Sequence, residues 1–169
     1  MVNAKDGSKL LITLIIFLSM VSFVHSESYD TGQERDWLLN AKNEKERLIL
    51  LQNYLGGFGA SMWEVGARYK HIYTALQDEN FELAIYHWKK IKIAIENGYL
   101  KRPARKENAD AIFLNSVYGD VLKSFEVKDI KKAWQGFSTG RSACMACHTA
   151  ERIPWMNDQP MFRDTQAPL

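Results

Sequence analysis

The residues able to do chemistry lie together near the end of this chain. Its 169 residues include two cysteines, Cys144 and Cys147, three positions apart, and His148 follows the second directly. Cys144-Met145-Ala146-Cys147-His148 is the attachment signature of c-type haem. On a helical turn, two thiols so spaced can each form a thioether with one vinyl group of the same porphyrin. The imidazole that follows then lies beneath the ring, where it can ligate iron. Covalent attachment also retains the group in an exported protein. Three other uses of the thiols compete. A dithiol redox site wants a βαβ context, which is missing here. A structural zinc site needs about four ligands, yet beyond the motif and the N-terminal His25 only His71 and His87 remain. A short-range disulfide is the plain alternative in an oxidising compartment.

Such a motif has to be carried by a helix, and the apolar spacing predicts four. Trp37, Leu38, Ala41, Leu48, Leu51 and Leu55 recur at three- and four-residue steps, and Phe58, Met62, Val65, Tyr69, Ile72 and Leu76 continue them. One long helix ending near Gln77 is expected, with Gly56, Gly57 and Gly59 as the place for a kink. Asp78 and Asn80 supply turn and N-cap chemistry for a second helix. That helix carries Phe81, Ala84, Ile85, Trp88, Ile91 and Ile95, and Gly98 is expected to stop it. Pro103, within the basic connection 101–106, prevents simple continuation. Ala109 to Phe125 reads as a third helix. Asp129 then caps a fourth, with Ile130, Ala133, Trp134, Phe137, Cys144 and His148 along one side. No period-two strand pattern competes. The expected fold class is all-α, an antiparallel up-and-down four-helix bundle. A Pro-rich C-terminal tail, residues 153–169, is expected to be extended, with Trp155, Met156, Met161 and Phe162 able to cover apolar surface.

The N-terminus reads as a leader. Lys5 and Lys9 precede an apolar run from Leu10 to Val24, and Val24-His25-Ser26 suits signal peptidase. The run is shorter than the roughly 20 residues of a membrane span, so residues 1–26 are expected to be a signal peptide, with no stable membrane insertion once it is removed. The whole chain has 22 Lys plus Arg against 20 Asp plus Glu, a formal charge of +2. Without Lys5, Lys9 and Asp6 it is nearly neutral, which argues against nucleic acid as a partner. The mature length is that of one domain, so residues 27–152 are expected to form the haem c domain ahead of the tail.

A secreted four-helix chain with its single CxxCH in the last helix resembles the class II c-type cytochromes, the cytochrome c prime and cytochrome c556 group. Class I cytochromes place the motif near the N-terminus and a methionine ligand far downstream. The resemblance covers about residues 44–150 in layout, and its residue-level match is Cys144, Cys147 and His148. It implies that the first helix lies over the distal haem face, where one of its residues ligates iron or blocks the sixth position. It also implies a possible homodimer through the first two helices. The long N-terminal helix and the tail exceed the family pattern.

Met62 is the candidate for the distal position. It lies on the inward stripe of the first helix beside Gly59, Ala60 and Ser61, which would let the backbone approach a flat ring. Thioether sulfur raises the potential of a His-ligated haem, although a methionine on an apolar stripe also serves as core filler. His71 is nine residues on, hence on the opposite side of the helix, between Arg68 and Lys70. His87 borders the stripe of helix two and reads as an interfacial histidine. Met156 and Met161 would need a tight wrap to reach the far haem face, and an open or apolar-blocked distal site stays open as well. Tyr54, Phe58, Trp63, Tyr69, Trp134 and Phe137 could line the ring or simply form core. Lys89, Lys90, Lys92, Lys101, Arg102, Arg105 and Lys106 could dock an acidic partner, pair with propionates, or form a solvated face.

The expected function is electron transfer by a periplasmic monohaem cytochrome c. It would hold one covalent haem through Cys144 and Cys147, with His148 and Met62 as iron ligands, and pass electrons to a redox partner protein. The alternative is a five-coordinate haem protein that binds nitric oxide or carbon monoxide. No enzymatic activity is expected, since a peroxidase would need distal acid–base groups that the pattern lacks.

Overall fold

A computed structural model describes residues 36–168. The expected signal peptide, residues 1–26, and the start of the first helix before residue 36 lie outside them. The chain divides into two units at Arg47 and Leu48. In the described part of the first, 36–47, Asn43 Oδ1 accepts from the Glu46 N–H at 2.9 Å and Glu46 reaches back to the Lys42 N–H. This reciprocal cap satisfies donors that a helix start leaves open. It begins α1 (Glu44–Leu55), none of whose residues is buried.

The second unit is helical throughout its regular structure, and no strand occurs among the described residues. The long first helix is not continuous. Gly56 takes a left-handed φ of +66°, which a glycine adopts without steric cost, so α1 ends at Leu55 and α2 (Phe58–Gln77) begins anew. The turn that follows is as the sequence predicts. Asn80 Oδ1 accepts from the Leu83 N–H at 3.0 Å and starts α3 (Phe81–Lys101), which packs along α2 as an antiparallel hairpin. Gly98 does not stop α3. It is a contact point, where an added Cβ would come within 3.0 Å of the Phe58 ring.

The expected third helix is broken. After a 3-10 turn at Pro103–Arg105 come α4 (Lys106–Asn108), a π-helical stretch at Ala109–Leu114, and then, past residues 115–117, α5 (Tyr118–Glu126). The wide turn buries Ala109 and Phe113. Asp129 caps α6 (Ile130–Ala150) by accepting from the Lys132 N–H at 2.8 Å.

The tail is not extended: Pro154–Asp158 forms a 3-10 turn and Pro160–Asp164 a short helix, α7. Each begins with proline, whose fixed φ suits a first helical turn and whose missing N–H costs nothing there. Phe162 and Thr165 are buried. Trp155 stays 68% exposed, so the tail covers apolar surface through Phe162 and the half-buried Met161.

The core is aromatic where α2, α3, α5 and α6 meet. Trp88 packs on Phe113, Tyr118 and Phe125, and its indole N–H donates to the Tyr118 carbonyl at 3.0 Å. On α6, Gly140 lets that indole approach closely, since a Cβ there would meet its ring at 2.8 Å. Trp134 and Phe137 pack on Tyr73, and Phe137 stacks on Tyr69 at 4.3 Å. The pairings of Tyr73 with Trp134 and Tyr69 with Phe137 run α2 antiparallel to α6, which sets the first two turns of α2 level with the motif at the end of α6.

Candidate haem-attachment site

Cys144, Cys147 and His148 occupy the last two turns of α6, all three half-buried, with both cysteines free. The thiols face different neighbours. Burial pushes the Cys144 thiol up to about 12, and nearby Cys147 adds to the shift. Cys144 also raises the Tyr69 hydroxyl, though less than burial does, and its side chain packs against the core. Burial raises Cys147 as well, opposed by the Arg105 guanidinium. Arg105 is ion-paired with Glu151, which also accepts from the Asn108 side chain at 2.8 Å.

The chain beyond α6 folds back onto the motif. Arg152 has a φ of +62°. Around it the Ile153 N–H reaches the His148 carbonyl at 2.9 Å and the Arg152 N–H the Thr149 carbonyl at 3.0 Å, a Schellman termination with arginine where glycine is usual. The reversal brings Asn157 to the histidine: His148 Nδ1 and Asn157 Oδ1 are 2.8 Å apart, and the Asn157 amide donates to the Met145 carbonyl at 3.1 Å. Phe162 stands edge-on to the His148 ring at 6.0 Å and tilted against Tyr69 at the same distance. Arg141 holds the tail by donating to the Phe162 carbonyl at 3.0 Å.

Two buried polar atoms here have no hydrogen-bond partner, Tyr69 Oη and Arg141 Nε. Tyr69 is 2% exposed, and burial raises its hydroxyl far above the usual phenol value, opposed by Arg141 and by the nearby Thr165 hydroxyl, which stands outside good hydrogen-bond geometry. A buried polar atom without a partner costs about 1–3 kcal/mol, so this end of the core carries polar groups that packing does not require.

Met62 is half-buried against the core, on the same face of α2 as Gly66 and Tyr69. Gly66 is covered by Met161, whose Sδ would lie 3.1 Å from an added Cβ. Ser61 is buried toward Gly98 on α3, and Gly59 faces open space. His71 is exposed and stacks on His87 at 5.0 Å. His87 is buried, with Nδ1 3.3 Å from the Arg68 guanidinium. Burial depresses its pKa, and His71 and Arg68 add to the effect, so it is an interfacial histidine and not part of the motif's surroundings.

Of the aromatics that could line a ring, Tyr69, Phe137 and Trp134 are buried, and Tyr54 and Trp63 are exposed, Trp63 by 83%. Several of the basic residues have partners within the chain. Lys92 pairs with Glu96, Lys101 donates to the Leu55 carbonyl and Lys106 pairs with Asp110. Arg105 is the one that reaches the motif. Asn157 and Gly66 carried no signal in the sequence, because nothing in spacing alone marks which tail residue returns to the helix end.

A groove of about 460 Å³ lies elsewhere, between α5 and α6, lined by Ser124, Val127 and Gly136 among others. It holds no cluster of reactive side chains. Among the described residues no group of three or more His, Cys, Asp or Glu could hold a metal ion by itself, and no helix is long and apolar enough to cross a membrane. Comparison with family models, curated proteins and solved structures found no match.

The donor set fits a haem c. Two free thiols and one imidazole share the end of a single helix beside buried aromatics, and the imidazole's other nitrogen is already engaged by a side-chain amide, as is usual for metal-ligating histidines.

Proposed function

We propose that this chain is a monohaem c-type cytochrome that carries electrons in the periplasm after removal of residues 1–26, its fold an up-and-down four-helix bundle of α2, α3, the broken α4–α5 segment and α6. Cys144 and Cys147 would attach the haem, and His148 and, on α2, Met62 would ligate its iron. The observation that carries this reading is the bond from His148 Nδ1 to Asn157 Oδ1, beside two free thiols on the same helix end. It leaves Nε2 as the nitrogen able to ligate iron.

When bound, the haem supplies a one-electron iron couple. The chain's own residues hold and shield it. Tyr69, Phe137 and Phe162 form an apolar wall that excludes water, which lowers the local dielectric and helps set the potential. Arg105 supplies a cation beside Cys147. What supports Met62 is the antiparallel course of α2 and α6, read from the Tyr69–Phe137 and Tyr73–Trp134 pairings, and Met161 over Gly66 adds a second thioether to that face of α2.

The test is the pyridine haemochrome spectrum of the exported protein and of Cys147→Ser, with ferric EPR and absorption for the protein and Met62→Ala. Wild type is expected to show two thioether links and Cys147→Ser one. The ferric iron is expected to be low-spin, with a sulfur-to-iron charge-transfer band that Met62→Ala abolishes. Absence of covalent haem refutes the reading. High-spin ferric iron that binds carbon monoxide readily once reduced replaces electron transfer with gas binding.

A further inference from the structure

Asn157 lies nine residues beyond His148, outside the motif and outside α2 to α6, yet its side chain makes both of its bonds to the motif. The orientation of its amide follows from chemistry. The Met145 carbonyl only accepts hydrogen bonds, so the atom 3.1 Å from it must be the amide nitrogen. The amide oxygen is then the atom 2.8 Å from His148 Nδ1. That oxygen also only accepts, so Nδ1 carries the proton, and in the neutral ring Nε2 is then bare. A neutral histidine in water prefers the opposite tautomer, with the proton on Nε2, where it cannot ligate a metal.

We propose that Asn157 is a positioning residue: it holds His148 in the tautomer that presents a bare Nε2 and sets how strongly that nitrogen donates to the haem iron. This rests on the haem c reading above. The segment carrying Asn157 is anchored at both ends, by the reversal at Arg152 and by the bond from Arg141 to the Phe162 carbonyl. The amide is thus held in place by packing and does not depend on the histidine for its position. Donation from Nδ1–H to an acceptor raises the basicity of the ligating nitrogen, which favours ferric over ferrous iron and lowers the reduction potential.

Two substitutions separate positioning from simple tethering. Asn157→Asp keeps an acceptor for His148, now anionic, and loses the donor to Met145. Asn157→Leu loses both. In the haem-loaded protein the midpoint potential is expected to fall in Asn157→Asp and rise in Asn157→Leu. A residue that only ties down the tail would move both variants in the same direction, and that result overturns the proposal.

A second measurement needs no haem: ¹⁵N-edited NMR of the full chain expressed without haem attachment, at a pH where the His148 ring is neutral. The Nδ1–H tautomer is expected, with a shift toward Nε2–H in Asn157→Leu. An Nε2–H tautomer in the unaltered chain overturns the proposal even if haem attaches normally. Covalent haem absent from the exported protein, with the Nδ1–H tautomer present, would refute the cytochrome reading and the tuning of iron while upholding the positioning of the ring.

Discussion

The two halves of α6 are held by different physics. Its N-terminal half sits in a dry aromatic cluster, where Trp134 and Phe137 pack edge-on to one another and against Tyr73. Its C-terminal half is covered by the chain's own tail through hydrogen bonds: Arg141 to Phe162, His148 to Asn157, and Asn157 to Met145. The aromatic half has satisfied its groups by burial. The motif half keeps two free thiols and the unpartnered Nε of Arg141, and just beyond its end Arg152 is left-handed. One half is built for stability, and the other gives up stability where the reactive residues stand, a pattern found at functional sites.

Substitutions should therefore act with opposite signs in the two halves. The largest effect belongs to Trp134→Ala. It removes a side chain only 5% exposed together with its ring contacts, and it should cost about 3–5 kcal/mol in chemical denaturation. A loss below about 1 kcal/mol would mean that the aromatic half is looser than its packing implies.

At the motif end, Tyr69→Phe removes the hydroxyl that has no partner and keeps the ring on Phe137. It should leave stability unchanged or raise it by about 1 kcal/mol. A marked loss would show that the hydroxyl is satisfied in solution, with Thr165 the nearest means.

The smallest effect is expected for Arg152→Gly. The left-handed φ of +62° suits glycine, so the variant should gain about 0.5 kcal/mol or slightly more while the His148–Asn157 bond, followed by NMR, stays intact. Loss of that bond with no gain in stability would mean that the arginine side chain, and not its backbone conformation, brings the tail back.

Much of the framework was legible in the sequence because it depends on neighbours three or four residues apart. The helical stripes around Trp88 and Phe137, and the caps at Asn80 and Asp129, are local patterns of this kind, and each appears where the spacing placed it. The errors share one cause. The stripe ran in phase from Leu48 to Leu76, but periodicity does not register a backbone conformation, and Gly56 at a φ of +66° separates α1 from α2. The stripe from Ala109 to Phe125 likewise concealed a π turn at Ala109–Leu114, since three- and four-residue spacings read from sequence carry no record of which carbonyl each N–H bonds. Three prolines in residues 153–169 read as extended chain, yet Pro154 and Pro160 each open a turn, because proline resists the interior of a helix and suits its start.

The sequence by itself determined the reactive set: two thiols and an imidazole at the spacing of one helix end, on a chain of amphipathic helices. Covalent neighbours define that set, so no long-range contact is needed to recognise it. Tertiary structure decided what surrounds it. Asn157 meets His148 only because Arg152 reverses the chain, Met161 meets Gly66 only because the tail crosses α2, and Phe137 meets Tyr69 only through the antiparallel register of α2 and α6. Such contacts join residues whose separation in the chain carries no periodic signal, and they form only when the core has fixed the helices that present them.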